Sequence, residues 1–151
     1  MHLGLIHHVG YVVEDIDAQL DMYAERFGMG VSVRETLPEQ GVEAVLLGDG
    51  PSHVELISPI DPDGGVGRFL AKRGPGVHHV AFSVPNLDAA LGELERDGAE
   101  LIDARPRRGL GGHMVAFVHP RSAGGVLTEL VESPGEHRIS VNDRPPQEDA
   151  S

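Results

Sequence analysis

Two histidines and two glutamates recur in this 151-residue chain as matched pairs, and side chains of these types hold borderline or hard divalent cations. His8 stands 47 positions before Glu55, and His79 stands 50 before Glu129. Each histidine lies in a near-copy of one segment, HHVGYVVEDIDAQL from His7 and HHVAFSVPNLDAAL from His78, set 71 residues apart and identical at seven of fourteen positions. Each glutamate lies inside an apolar run, HVELISP or VLTELVESP. A carboxylate buried there requires a charge partner or a metal to offset its desolvation. If the two copies pair about an approximate two-fold axis, the four groups converge, neutralise a divalent cation and leave coordination positions for water or substrate. The alternative is that His8 and His79 are ordinary core or surface histidines and that Glu55 and Glu129 sit on solvated strands. The fourfold coincidence weighs against it.

The duplication also organises the elements that must position these groups. In each copy a run of alternating apolar residues predicts a strand, followed at once by helical spacing. Ile16, Leu20, Tyr23, Ala24 and Phe27 share one helix face between Asp15 as cap and Gly28 as stop; Leu87, Leu91 and Leu94 repeat the stripe between Asn86 and Gly98. Short strands are expected at 31–34, 42–47 and 53–57, and again at 100–103, 113–118 and 126–131. The unit is strand, helix and three strands, written twice. Module one covers about 5–60 and module two about 77–132, together one domain over 1–132. A Gly/Pro-bearing linker spans 61–76 with a short helix over 66–73, and a mobile tail is expected over 133–151.

Side chains alternate along a strand, so adjacent histidines are expected on opposite faces. Val9, Tyr11 and Val13 go with His7 toward the helix, and Gly10 and Val12 go with His8 toward a cavity. The same parity puts Val80, Phe82 and Val84 with His78, and Ala81 and Ser83 with His79. His7 and His78 are therefore expected to be structural, and His113 and His119 to pack or to lie near substrate. The glycines at 109, 111, 112, 124 and 125 mark turns, and no Gly-Lys-Ser/Thr follows them to make a P-loop.

Composition removes several classes. A net charge of −12 argues against a general nucleic-acid binder. No long apolar run argues for a membrane span, and the opening MHLGLIHHVGYVV lacks the layout of an export signal, so a cytoplasmic enzyme is expected. Without cysteine there is no disulfide or thiolate site. Lys72 stands alone against eleven arginines, of which Arg121 and the Arg105 to Arg108 cluster offer charge to an anionic substrate tail.

From about His7 to Glu132 the chain resembles the vicinal oxygen chelate superfamily and, within it, the methylmalonyl-CoA epimerase family. The specific segments are PEQGV (38–42), FLAKRGPGVHHVAF (69–82) and FVHPRSAGGVLTEL (117–130). The resemblance implies an α+β fold in which two tandem βαβββ modules form an incomplete, curved, eight-stranded barrel-like sheet around a metal site. It implies His8, Glu55, His79 and Glu129 as ligands to Co, Mn, Zn, Ni or Fe. It further implies an acyl-CoA substrate, a homodimer, and inversion at the α-carbon through an enolate, with Glu129 as one acid–base. Family members with a second catalytic glutamate carry it two residues beyond the Val of EQGV. Here that position is Ala44 and a glutamate stands one earlier, so Glu43 is the candidate, although a one-residue slip reverses its face. A glyoxalase-type isomerase or lyase, or a metal-free sequestering protein of the same fold, are the competing readings.

Overall fold

The computed structural model describes residues 1–133. Strands β1 (Ile6–Val12), β2 (Val31–Leu37), β3 (Val42–Leu47), β4 (His53–Pro59), β5 (Gly76–Val84), β6 (Arg107–Arg108), β7 (Met114–Val118) and β8 (Thr128–Glu132) form one sheet. Its order is β2-β3-β4-β1-β5-β8-β7-β6. Helix α1 (Ile16–Phe27) follows β1, α2 (Gly65–Arg73) lies in the linker and α3 (Leu87–Arg96) follows β5. The duplication is visible in the topology. β1 pairs parallel with β4, β5 pairs parallel with β8, and the two copies meet where β1 runs antiparallel to β5.

The helices form where sequence spacing places them, and their caps are made. The Asp15 carboxylate accepts from Ala18 N–H at 3.2 Å, and the Asn86 side chain accepts from Ala89 N–H at 2.9 Å, each satisfying a donor the first turn leaves open. Gly28 ends α1 at φ 64°, a conformation glycine adopts without a Cβ penalty. Tyr11, Val13, Ile16, Leu20 and Tyr23 pack over Leu47 and Leu56 to close one core, and Phe82, Val84, Leu87 and Leu91 pack over Leu130 to close its counterpart. Burying a side chain such as Leu56 or Leu87 contributes about 1.5–3 kcal/mol, so these two cores fix the helices on the convex face.

The sheet curls until its ends meet. A flat eight-stranded sheet would hold its edge strands about 34 Å apart, at about 4.8 Å per strand. Here Leu110, in the tight turn after β6, packs on Val33, Leu37, Ala44 and Leu46 of β2 and β3. Gln40 Nε2–H donates to Arg108 O at 3.2 Å, and Gly111 N–H donates to Glu35 Oε1 at 3.2 Å. The concave face so enclosed holds the candidate site.

Three expectations need correction. The strand expected over 100–103 is reduced to a single bridge, Leu101 to Val118, and pairing resumes only at Arg107 with Val115. Between them Ile102 N–H and Asp103 N–H both donate to Phe117 O, the Asp103 carboxylate takes Phe117 N–H, and Pro106 has no donor for a ladder. The tail over 134–151 lies outside the described residues, but Ser133, expected to begin it, is buried and donates to Val84 O at 3.0 Å.

The third correction concerns parity. Between Ile6 and His8 the β1 chain advances two residues while β5 advances one, from Phe82 to Ala81, so His7 is a bulge residue. Between Gly10 and Tyr11 the count reverses, from His79 to Val77, and His78 is the bulge residue. A bulge breaks the alternation of faces, and each pair of neighbouring histidines comes into contact instead of pointing apart.

Candidate metal centre

Register explains why four side chains from four strands meet. Across the central seam His8 faces Ala81 and His79 faces Gly10; across the outer pairs Gly10 faces Glu55 and Ala81 faces Glu129. Each module thus supplies one histidine, one glutamate and one small residue at equivalent places. Gly10 and Ala81 are the same position in the two copies. The small residue opens the space through which the other module's imidazole reaches the centre.

At Gly10 that space is filled completely, since an added Cβ would lie 2.6 Å from His79 Nδ1 and 2.7 Å from Nε2. Gly10→Ala is therefore expected to displace the His79 ring. A cobalt titration should show metal affinity lowered about 10- to 100-fold, the range seen when the groups that orient a ligand are disturbed. Unchanged affinity would show that the ring relocates freely.

The distances have the scale of a coordination shell. His8 Nε2 lies 2.9 Å from His79 Nε2 and 3.2 Å from Glu129 Oε2, and His79 Nε2 lies 2.9 Å from Glu129 Oε2. Glu55 approaches His8 Nε2 with Oε2 at 3.5 Å and His79 Nε2 with Oε1 at 3.4 Å. Ligand atoms about 2.1 Å from one cation sit about 3.0 Å apart at right angles and about 3.4 Å apart at tetrahedral angles. His8, His79 and Glu129 are close enough together to share such an ion, and Glu55 stands beside both imidazoles. All four are buried, so solvent screens the two carboxylates only weakly.

Their electrostatics reflect that crowding. Burial opposes ionisation of Glu129, yet the hydrogen bonds and charges of His79 and His8 hold its carboxyl well below the usual range. Burial pushes Glu55 upward, and the two histidine charges only partly counter it. For His8, burial favours the neutral ring, but the Glu129 hydrogen bond and the Glu55 and Glu129 charges outweigh it and raise the pKa.

A cavity of about 420 Å³ opens onto this cluster. Glu55, His79 and Glu129 form its polar end, and Ala44, Ile57, Val115, Phe117 and Leu127 supply apolar wall. The Pro38 to Gly41 turn and Arg107 also line it. Glu43 does not. β3 runs in unbroken register against β4 from Val42 to Leu47, so Ala44 faces the cavity and Glu43 the opposite side. There it takes the Arg34 Nε–H at 2.6 Å, and Arg34 also binds Asp17 at 2.7 Å.

Among the other candidates, His119 caps the turn at Pro120–Ser122 by accepting Arg121 N–H at 3.0 Å. The Arg121 guanidinium is occupied by Glu100 at 3.2 Å. His113 lies against His7, not among the four ligand candidates. His78, expected to be structural, lines the cavity beside His79. Its bulge arises from pairing with β1, so nothing in its own strand's sequence marks it.

A curled mixed sheet of two βαβββ repeats with a paired His/Glu cluster on its concave face defines a class, and the whole-chain comparison agrees. The chain belongs to the glyoxalase/bleomycin resistance protein/dioxygenase superfamily, whose profile matches residues 7–117. Within that class it is 33% identical to human mitochondrial methylmalonyl-CoA epimerase over 133 residues, 87% of this chain and 76% of the human protein. It is 37% identical to the Bacillus subtilis (strain 168) protein YqjC over 134 residues, 89% of this chain and 96% of that one. A variant of Streptomyces coelicolor methylmalonyl-CoA epimerase, solved with 2-nitronate-propionyl-CoA, superposes with a TM-score of 0.84 at 37% identity, covering 90% of this chain and 99% of that one. Among the described residues no helix is long and apolar enough to cross a membrane.

Proposed function

We propose that the chain interconverts (R)- and (S)-methylmalonyl-CoA, with His8, Glu55, His79 and Glu129 holding a divalent cation, one of Co, Mn, Zn, Ni or Fe. The observation that carries the proposal is the convergence of these four buried groups, three of which, Glu55, His79 and Glu129, line one end of a cavity that also carries apolar wall. Its relatives among methylmalonyl-CoA epimerases support the substrate. A cation held by these residues would supply Lewis-acid stabilisation of the negative charge that develops as the α-proton leaves. Both imidazoles face the Glu129 Oε2 and favour the ionised carboxylate, which lines the cavity and is assigned the exchange of the proton. Apolar Ile57, Val115 and Phe117 limit the water that could compete for that proton. Arg107, stacked over Phe117 at 5.3 Å and paired with Asp103 at 3.4 Å, is the cationic residue of the 105–108 cluster that lines the cavity, and we assign it to the anionic part of the acyl-CoA.

Ala44 stands where other family members place a second acid–base, so the second face of the enolate is served by another group or by water. Glu43, tied to Arg34 on the outer side, is not that group. Glu43→Gln is expected to keep wild-type solvent tritium exchange into both epimers and stability within about 0.5 kcal/mol. Loss of exchange from one epimer would return Glu43 to the mechanism.

The proposal as a whole is tested by elemental analysis of the purified protein together with racemisation of chirally defined methylmalonyl-CoA. Stoichiometric metal with turnover of hemithioacetals instead would point to the glyoxalase branch. Absence of both metal binding and turnover would point to a sequestering protein. The family resemblance further implies a homodimer, expected to sediment at twice the 16.1 kDa chain mass.

A further inference from the structure

The histidine preceding each ligand candidate is left without a role by the proposed chemistry, yet both are held in the same specific contact. His7 Nδ1 lies 2.8 Å from His8 Nδ1, and His78 Nδ1 lies 2.9 Å from His79 Nδ1. A neutral imidazole carries one N–H and one lone pair, so in each pair one Nδ1 must donate and the other accept. The direction follows from the far side of the ring. His8 and His79 turn Nε2 toward the four-group centre. If those nitrogens offer lone pairs to a cation, the ligand rings carry hydrogen on Nδ1. His7 and His78 must then accept, each with its own hydrogen on Nε2.

We propose that His7 and His78 are positioning residues that lock His8 and His79 in the tautomer with Nε2 free, by accepting their Nδ1–H. The assignment rests on the metal centre proposed above. Adjacent residues of a regular strand cannot make this contact, and the two bulges of the β1–β5 ladder fall at these two residues. Each accepting ring is itself held. His7 is buried, its centroid 5.3 Å from His53 and 5.5 Å from His113, and His53 Nδ1–H donates to Gly48 O at 2.9 Å. The edge-on neighbour of His78 is Phe69, at 5.0 Å. Metal-bound histidines usually donate their second N–H to a carboxylate, carbonyl or water. A carboxylate here would add charge to a centre that already buries two, whereas an imidazole orients the ligand without doing so.

Zinc is the probe for the test, with wild type, His7→Phe, His78→Phe, His7→Asn and His78→Asn titrated by calorimetry. Phenylalanine keeps a ring but offers no acceptor; asparagine places an oxygen near the lost Nδ1. Each Phe variant is expected to bind one zinc about 10- to 100-fold more weakly than wild type, with the Asn variants closer to wild type. In zinc-loaded wild type, nitrogen-15 NMR should show unprotonated Nδ1 on His7 and His78 and protonated Nδ1 on His8 and His79. Protonated Nδ1 on His7 and His78, or unchanged affinity in both Phe variants, would overturn this assignment alone. Failure of wild type to bind zinc would overturn the metal centre and the assignment with it. If a Phe variant does not fold, the Asn variants and the wild-type spectrum decide the matter.

Discussion

Replacement of Glu129 by Gln should lower the epimerisation rate by about 10³-fold or more, the middle of the range contributed by a positioned acid–base. Two losses combine. The amide cannot take the α-proton, and it presents one neutral oxygen where Oε2 now faces both imidazoles. Because Glu129 is buried and within 3.2 Å of His8, the substitution also removes negative charge from the centre, so metal affinity should fall in parallel. The contributions separate under saturating metal: recovered binding with no recovered exchange identifies the acid–base role. Near wild-type turnover at full metal occupancy would remove Glu129 from the mechanism.

A comparable effect is expected from His79→Ala, read on binding and stability. His79 is 2% exposed and lies within 3.4 Å of His8, Glu55 and Glu129. Its removal leaves two carboxylates and one imidazole around a void, and elemental analysis should find no stoichiometric metal. Breaking a buried charged contact by deleting one partner costs about 3–5 kcal/mol. For a domain of this size, at about 2–4 °C per kcal/mol, the metal-free variant should melt about 6–20 °C below metal-free wild type. Added cation should stabilise wild type but not the variant, by about 4 kcal/mol at a thousandfold excess over the dissociation constant. Equal stabilisation of both proteins would mean that the ion binds elsewhere.

The layout was largely legible in the sequence because it is repeated. One helix stripe with a cap and a glycine stop, read twice, set α1 and α3, and the apolar runs around Glu55 and Glu129 set β4 and β8. The slip that moves a glutamate from position 44 to 43 could be read as a change of face, since β3 is regular there and parity holds. The same rule failed at His7 and His78. Alternation assumes equal advance on paired strands, and a bulge is a property of two strands that neither sequence displays alone. The strand expected over 100–103 failed for a related reason. Its apolar pattern is present, but the Asp103 side chain competes for a ladder donor at Phe117 and Pro106 offers none. The arginines could not be sorted by composition, because Arg107 and Arg121 differ only in which carboxylate and which wall the curled sheet brings to them.

The seam between β1 and β5 carries a consequence for how the molecule could be divided. Each half of the chain owns only a two-pronged claw, one nitrogen and one oxygen, and neither claw encircles an ion by itself. Cutting the connection over 61–76 would therefore give two fragments whose reunion, and not merely whose folding, restores the grip. Catalysis would then report on their association, and the ion would act as the clasp between them.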